Sequence, residues 1–245
     1  RCRLVGSEMC IRDRGRLIHM DICGPLPESK LGRHKYAMVL IDDSTRFKMG
    51  LALRSRDEAG AHIRRFISRF NSMASHSQGR ISKVGTLLTD GAREFLSHAV
   101  QHLLDEHGVN KIEAPPEVHA LNGVAERAIL SIFTQVRAHL VQSNAPRGFW
   151  VEAMSHSIDI LNRVTGAPHG RCSSYEDLTT VRPRIMSIQT WGCRAWALTP
   201  AHTRSKLDAS ALEGINLGRS ERQPGGFLIW IPQQLRTVST SEAAF

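Results

Sequence analysis

The stretch Leu17-Ile18-His19-Met20-Asp21-Ile22-Cys23-Gly24-Pro25 decides how this chain is read. A short, mostly apolar run reaches a Gly-Pro stop, which is the pattern of a strand closed by a turn. One acid, Asp21, stands inside the run. A carboxylate in an apolar strand is costly unless it is paired, hydrogen-bonded or metal-bound. Tyr36 to Ile41 (YAMVLI) reads as a second strand. Phe47 to Leu53 reads as a third, reached through the Asp42-Asp43-Ser44-Thr45 turn. Three strands with short connections predict an antiparallel meander.

Outward from the meander the period changes. Ile63, Phe66, Ile67, Phe70 and Met73 recur at helical spacing behind a Ser55/Glu58 capping box, and Gly79 closes the helix. Val84 to Thr89 reads as a fourth strand with Asp90 at its carboxyl end. A helix over 97–106, with Val100, Leu103 and Leu104 inward, precedes a weak fifth strand, Val109 to Ala114. Asn122 is placed to cap a long helix over 123–142. Its apolar stripe is Ala125, Ile129, Ile132, Phe133, Val136 and Leu140, with Glu126 at the stripe's edge. A further helix near 147–162 carries Phe149, Trp150, Ala153, Met154, Ile158 and Leu161. The order β-β-β-α-β-α-β-α predicts an α/β, ribonuclease-H-like core: a mixed five-stranded sheet with flanking helices.

The expected organisation is a core over 15–166, a loop-like basic linker over 167–190 and a small β-rich module over 191–245. The module's strand-like runs are WGCRAWAL, GINLG and GFLIWI. Residues 1–14 join oddly to the rest of the chain and are set aside as a non-native leader. The 245 residues carry a net charge of +9, which points to an acidic partner, nucleic acid being the commonest. Five cysteines without a Cys-x-x-Cys pair argue against a disulfide framework or a zinc site. No run approaches a membrane span and no signal peptide is visible.

Asp21, Asp90 and Glu126 are the candidate catalytic and metal-binding residues. In this strand order the first and fourth strands lie side by side, and the helix from 123 would cross them. Converging carboxylates repel unless a cation neutralises them. Two Mg²⁺ ions would do so and would support in-line phosphoryl transfer. Singly each acid has an ordinary explanation, a turn residue or a helix-dipole partner. Their spacing adds weight: 35 residues separate Asp90 from Glu126. Asp42 and Asp43 read as structural, through turn chemistry or a contact with Arg46. His19 falls on the same strand face as Asp21 and reads as a half-buried strand residue.

The chain resembles the integrases of copia-type LTR retrotransposons, and through them the retroviral integrase and transposase superfamily. Asp21-Ile22-Cys23-Gly24-Pro25 matches the family's D-x-x-GP, and Leu40 to Arg46 matches its F-I-D-D-x-S/T-R. Asp90-Gly91-Ala92-Arg93-Glu94-Phe95 stands at D-N-G-x-E-F, and Asn122 to Arg127 reproduces N-G-V-A-E-R. Phe149-Trp150-Val151-Glu152-Ala153 with Asn162-Arg163 matches F-W-x-E-A…N-R. Ser174-Tyr175-Glu176, Trp191 to Trp196 and Lys206-Leu207-Asp208 extend the likeness past the core. The chain departs from the pattern at Gly91, at Ala92 and at His119-Ala120-Leu121. Phe133 stands where retroviral relatives carry a DNA-contacting lysine.

The resemblance implies a polynucleotidyl transferase from a Pol polyprotein that processes element ends and joins them to target DNA. It implies Asp21, Asp90 and Glu126 as ligands for Mg²⁺ or Mn²⁺, two ions. It also implies homo-oligomers that assemble in cytoplasmic virus-like particles and act in the nucleus. Asn122, Arg127 and Arg137 are candidate DNA contacts. The alternatives are a catalytically decayed or domesticated nucleic-acid-binding remnant and a ribonuclease H.

Overall fold

The computed structural model describes residues 14–74, 83–89, 98–113, 123–168, 170, 172–199, 204–205, 209–220 and 223–245. Strands β1 (Leu17–Cys23), β2 (Tyr36–Asp42) and β3 (Lys48–Leu53) form the meander. A 3-10 turn leads into helix α1 (Ala59–Ala74), followed by β4 (Thr86–Thr89), α2 (His98–Glu106) and β5 (Asn110–Glu113). Helices α3 (Gly123–Ser143) and α4 (Trp150–Val164) complete the core. The sheet order is β3-β2-β1-β4-β5, antiparallel across β1, β2 and β3 and parallel from β1 to β4 and from β4 to β5. The predicted mixed sheet is therefore the observed one.

Alternation divides β1 and β2 between two cores. Ile18, Met20, Ile22, Met38 and Leu40 face α1 and α2, where Ile63, Phe66, Ile67 and Phe70 meet them. Ala37, Val39 and Ile41 face α3 and α4, among Ala125, Ile132, Val136, Phe149, Trp150 and Met154. Register puts Asp21 opposite Val39, and Val39 opposite Gly50. A Cβ at Gly50 would lie 2.4 Å from Ile158 Cδ1, so the missing side chain lets α4 close on β3. Asn162 ties the same contact: its amide nitrogen donates to the Lys48 carbonyl and its oxygen accepts the Lys48 N–H, both at 2.8 Å.

The remainder departs from expectation in three places. The Ser55 side chain makes no cap; the Glu58 carboxylate accepts the Arg54 N–H instead, at 2.8 Å, because a 3-10 turn intervenes before α1. Within the stretch read as loop lies helix α5 (Ser174–Thr179), capped by the Ser173 hydroxyl and pinned by buried Leu178. Where the sequence marked three strand-like runs, the described C-terminal residues form five strands: β6 (Arg194–Leu198), β7 (Ala211–Arg219), β8 (Phe227–Ile231), β9 (Arg236–Thr240) and β10 (Ala243–Ala244). They form a second, wholly antiparallel sheet in the order β10-β6-β7-β8-β9. Trp191, Leu217 and Trp230 pack it into the α3/α4 core. Gly79 and the positions expected to close β4 and open α3, Asp90 and Asn122, lie outside the described residues. No described helix is long and apolar enough to cross a membrane.

Candidate active site

Asp21 lies on the central strand, on the face covered by α3 and α4, because it shares a rung with Val39. Its Oδ1 accepts the Ile22 N–H at 2.7 Å. Helix α3 packs against β1 and β2 through Ala125 and Ala128, and its first turn carries Glu126, exposed to solvent. Strand β4 runs parallel beside β1, with Leu88 opposite His19, and ends at Thr89. Asp90 is the next residue in the sequence. Two of the three predicted acids thus stand on elements that pack together. Among the described residues no group of three or more His, Cys, Asp or Glu side chains is placed to hold a metal ion.

The surroundings of Asp21 are polar in a graded way. Cys23, on the same strand face, has its thiol pKa pushed up to about 11, first by burial and then by the Asp21 charge. His19 is 4% exposed, more deeply placed than the half-buried position expected of it. Its Nε2 meets Asp43 Oδ1 at 3.0 Å, and the same oxygen accepts from Arg46 Nη1 at 2.9 Å. Lys48, on the rung of Ile41 and His19, is lowered to about 8 by burial and then by Arg46. Asp42 is buried and does turn work: it accepts the Gly15 N–H, the Thr45 N–H and the Thr45 hydroxyl. Burial raises its pKa, against the pull of those hydrogen bonds. Asp42 and Asp43 thus make the turn and Arg46 contacts that the sequence implied.

Arg127 and Arg137 are exposed on α3, and Arg137 Nη2 donates to Thr134 Oγ1 at 3.2 Å. Sequence reasoning missed the His19–Asp43 pair. Alternation located the histidine but gave no signal for a partner across a turn.

Comparison with known proteins places both sheets. A family model for the retroviral polymerase SH3-like domain matches residues 193–245, the segment of the second sheet. The retrovirus-related Pol polyprotein from transposon TNT 1-94 of Nicotiana tabacum is 26% identical over 229 residues, covering 94% of this chain and 17% of that protein. The Ty1-NL2 Gag-Pol polyprotein of Saccharomyces cerevisiae is 21% identical, covering 91% of this chain and 12% of that one. The chain therefore spans less than a fifth of the length of these relatives.

Among solved structures, the HTLV-2 integrase catalytic core domain in complex with magnesium aligns with a TM-score of 0.50 at 15% identity. The alignment covers 68% of this chain and 98% of that one. The simian T-cell lymphotropic virus intasome, in complex with a PP2A regulatory subunit, aligns with a TM-score of 0.55 at 14% identity. It covers 93% of this chain and 76% of that one. These likenesses establish the fold.

Proposed function

The homologues of this chain are retrotransposon Pol polyproteins and its core has the retroviral integrase fold; from that premise we propose that it is an integrase catalytic segment which processes element DNA ends and joins them to target DNA. One observation carries the reading. Asp21 occupies the sheet face beneath the helix whose first turn bears Glu126, and the strand parallel to Asp21's leads directly into Asp90.

The donor set fits a hard divalent cation, since all three proposed ligands are carboxylates. Bound there, Mg²⁺ or Mn²⁺ would activate a water or 3′-hydroxyl and stabilise the leaving oxygen. Asp21, Asp90 and Glu126 would hold two such ions. Arg127 and Arg137 would meet phosphates without reading sequence. The HTLV-2 relative is described in complex with magnesium and in trimeric and dimeric forms. Divalent-metal use and homo-oligomers are proposed for this chain on the same footing.

The test is joining of a labelled 3′-hydroxyl oligonucleotide to plasmid DNA in Mg²⁺ or Mn²⁺. Activity is expected in the parent chain and lost in Asp21→Asn, Asp90→Asn and Glu126→Gln. Joining undiminished in Glu126→Gln would refute the assignment.

A further inference from the structure

The loop that leaves Asp21's strand is fastened within the core and also meets the far sheet, where Lys30 lies over Trp230. Residues 24–35 join β1 to β2 without regular structure. The Leu26 N–H donates to the Lys35 carbonyl at 2.7 Å and the Ser29 N–H to the His34 carbonyl at 2.9 Å. Leu26 and Leu31 pack into the core that also contains Phe149, Trp150 and Trp230. The end of β3 holds one side of the loop, where the Lys35 N–H donates to the Leu53 carbonyl at 2.8 Å and Arg54 Nε to the Gly32 carbonyl at 2.9 Å, and two anchors from the start of α4 hold the other. Trp150 Nε1 donates to the Pro27 carbonyl at 2.7 Å. The Lys30 N–H donates to the Gly148 carbonyl at 2.8 Å. That second approach is close: a Cβ at Gly148 would lie 2.9 Å from Lys30 Cγ and 3.1 Å from Lys30 N.

The Lys30 side chain completes the clasp. Its ammonium lies 4.5 Å from the centre of the Trp230 ring and 5.7 Å from that of Phe149. The two rings are 5.0 Å apart and both are buried. Trp230 belongs to β8, in the second sheet. The neighbouring acid of the loop, Glu28, is engaged by Arg33 at 2.8 Å and Lys35 at 3.5 Å. A cation over an aromatic face shifts a local equilibrium by about two- to fivefold per ring.

We propose that Lys30, clasped by Phe149 and Trp230, is a positioning residue through which the C-terminal sheet holds the β1–β2 loop and the Asp21 end of β1. The proposal rests on the integrase reading for its catalytic consequence. It also gives the Phe149-Trp150 motif a purpose: one ring takes the lysine and the other takes the Pro27 carbonyl. Lys30 touches no reacting group; it acts through the loop.

The test uses the full 245-residue chain and the variants Lys30→Met, Lys30→Arg and Trp230→Leu. Amide hydrogen exchange over 26–34 is read beside oligonucleotide-to-plasmid joining in Mn²⁺. Lys30→Met is expected to speed exchange in the loop by about tenfold, the product of two such contacts. It should lower kcat several-fold and leave KM for DNA little changed. Lys30→Arg, which keeps the cation over the rings, is expected to restore both. Trp230→Leu should resemble Lys30→Met. Unchanged loop exchange in Lys30→Met overturns the proposal, as does an unchanged kcat in an active enzyme or an arginine variant no better than methionine. A parent chain that joins no DNA overturns the integrase reading alone, and loop exchange still decides whether Lys30 ties the loop.

Discussion

The two faces of the mixed sheet are built on different terms. Toward α1 and α2, β1 and β2 present mostly apolar side chains, interrupted at the end of β2 by buried Asp42 on the rung of Ile18, and the packed partners are aromatic and aliphatic. Toward α3 and α4, the same strands present His19, Asp21 and Cys23 among smaller apolar residues. Buried His156, Ser157 and Asn162 lie on α4, and Trp191 and Trp230 arrive from the second sheet. A two-residue period makes this division possible, because one strand turns apolar side chains to one side and polar ones to the other. The lesson is that substitutions two residues apart fail in the same way, whereas adjacent ones fail differently.

The sharpest way to break the comparison is Asp21→Asn against its neighbour Met20. Asp21→Asn is expected to lower DNA joining by about a thousandfold or more, roughly 4 kcal/mol of barrier. Its urea midpoint should stay close to the parent's. Chelation of divalent metal by EDTA should match that loss. Met20→Ala faces the other way and is 1% exposed. It should cost about 3 kcal/mol of stability in urea titration, with joining per folded molecule retained. Equal effects of the two changes on stability would erase the distinction between the faces.

Acid pH probes the α3/α4 face through His156, and α1 through His62, whose pKa burial also lowers. His139 and His156 meet edge to face at 5.3 Å, and Trp191 packs on His139 at 5.7 Å. A cavity of about 10 Å³, room for one water, adjoins His156 between Asp159, Gly218 and Arg219. Burial first, then His139, Arg219 and Arg163, hold the His156 pKa down to about 4 against an ordinary 6.5. The unfolded chain therefore takes up a proton that the folded chain refuses. The stabilisation is complete above about pH 6.5 and is lost as pH falls toward 4. Between pH 7.5 and 5, His156→Phe is expected to remove about 2 kcal/mol of pH-dependent destabilisation. Urea midpoints of both proteins at the two pH values measure it; identical pH slopes would exclude His156 as the source.

The smallest expected effect is at Asp43, whose carboxylate is 44% exposed beside Arg46. Asp43→Asn should change stability by less than about 1 kcal/mol, since partly exposed ion pairs contribute little. A larger loss would mean that the His19 contact matters more to this face than the Arg46 pair does.

The core was legible in the sequence because its signals are local. Alternation in 17–23 and 36–41 and the helical period of 63–73 and 125–140 mark which side of each element is apolar. The observed strands and helices follow them to within a few residues. The capping box at Ser55 failed because the motif fixes which groups are available and not the turn that precedes the helix. Helix α5 was hidden because its six residues are too few to show a period. Strands β9 and β10 carry little apolar pattern, and pairing with β8 and β6 defines them. Of the proposed site, the sequence offered the acids and their spacing, and alternation gave the side of β1 that Asp21 shares with His19.

By itself the sequence determined the order of the elements, the apolar face of each and the carboxylates that interrupt them. These are matters of neighbours along the chain, set by periods of two and about 3.6 residues. Only the tertiary structure decided what lies against the face that carries Asp21. It brought Lys30 to Trp230, His19 to Asp43, and the Asn162 amide to the Lys48 backbone. Lys30 and Trp230 stand far apart in sequence, and neither residue type announces the other. Which pairs meet depends on how two sheets and two helices close over a common core, and that closure is a property of the packed molecule.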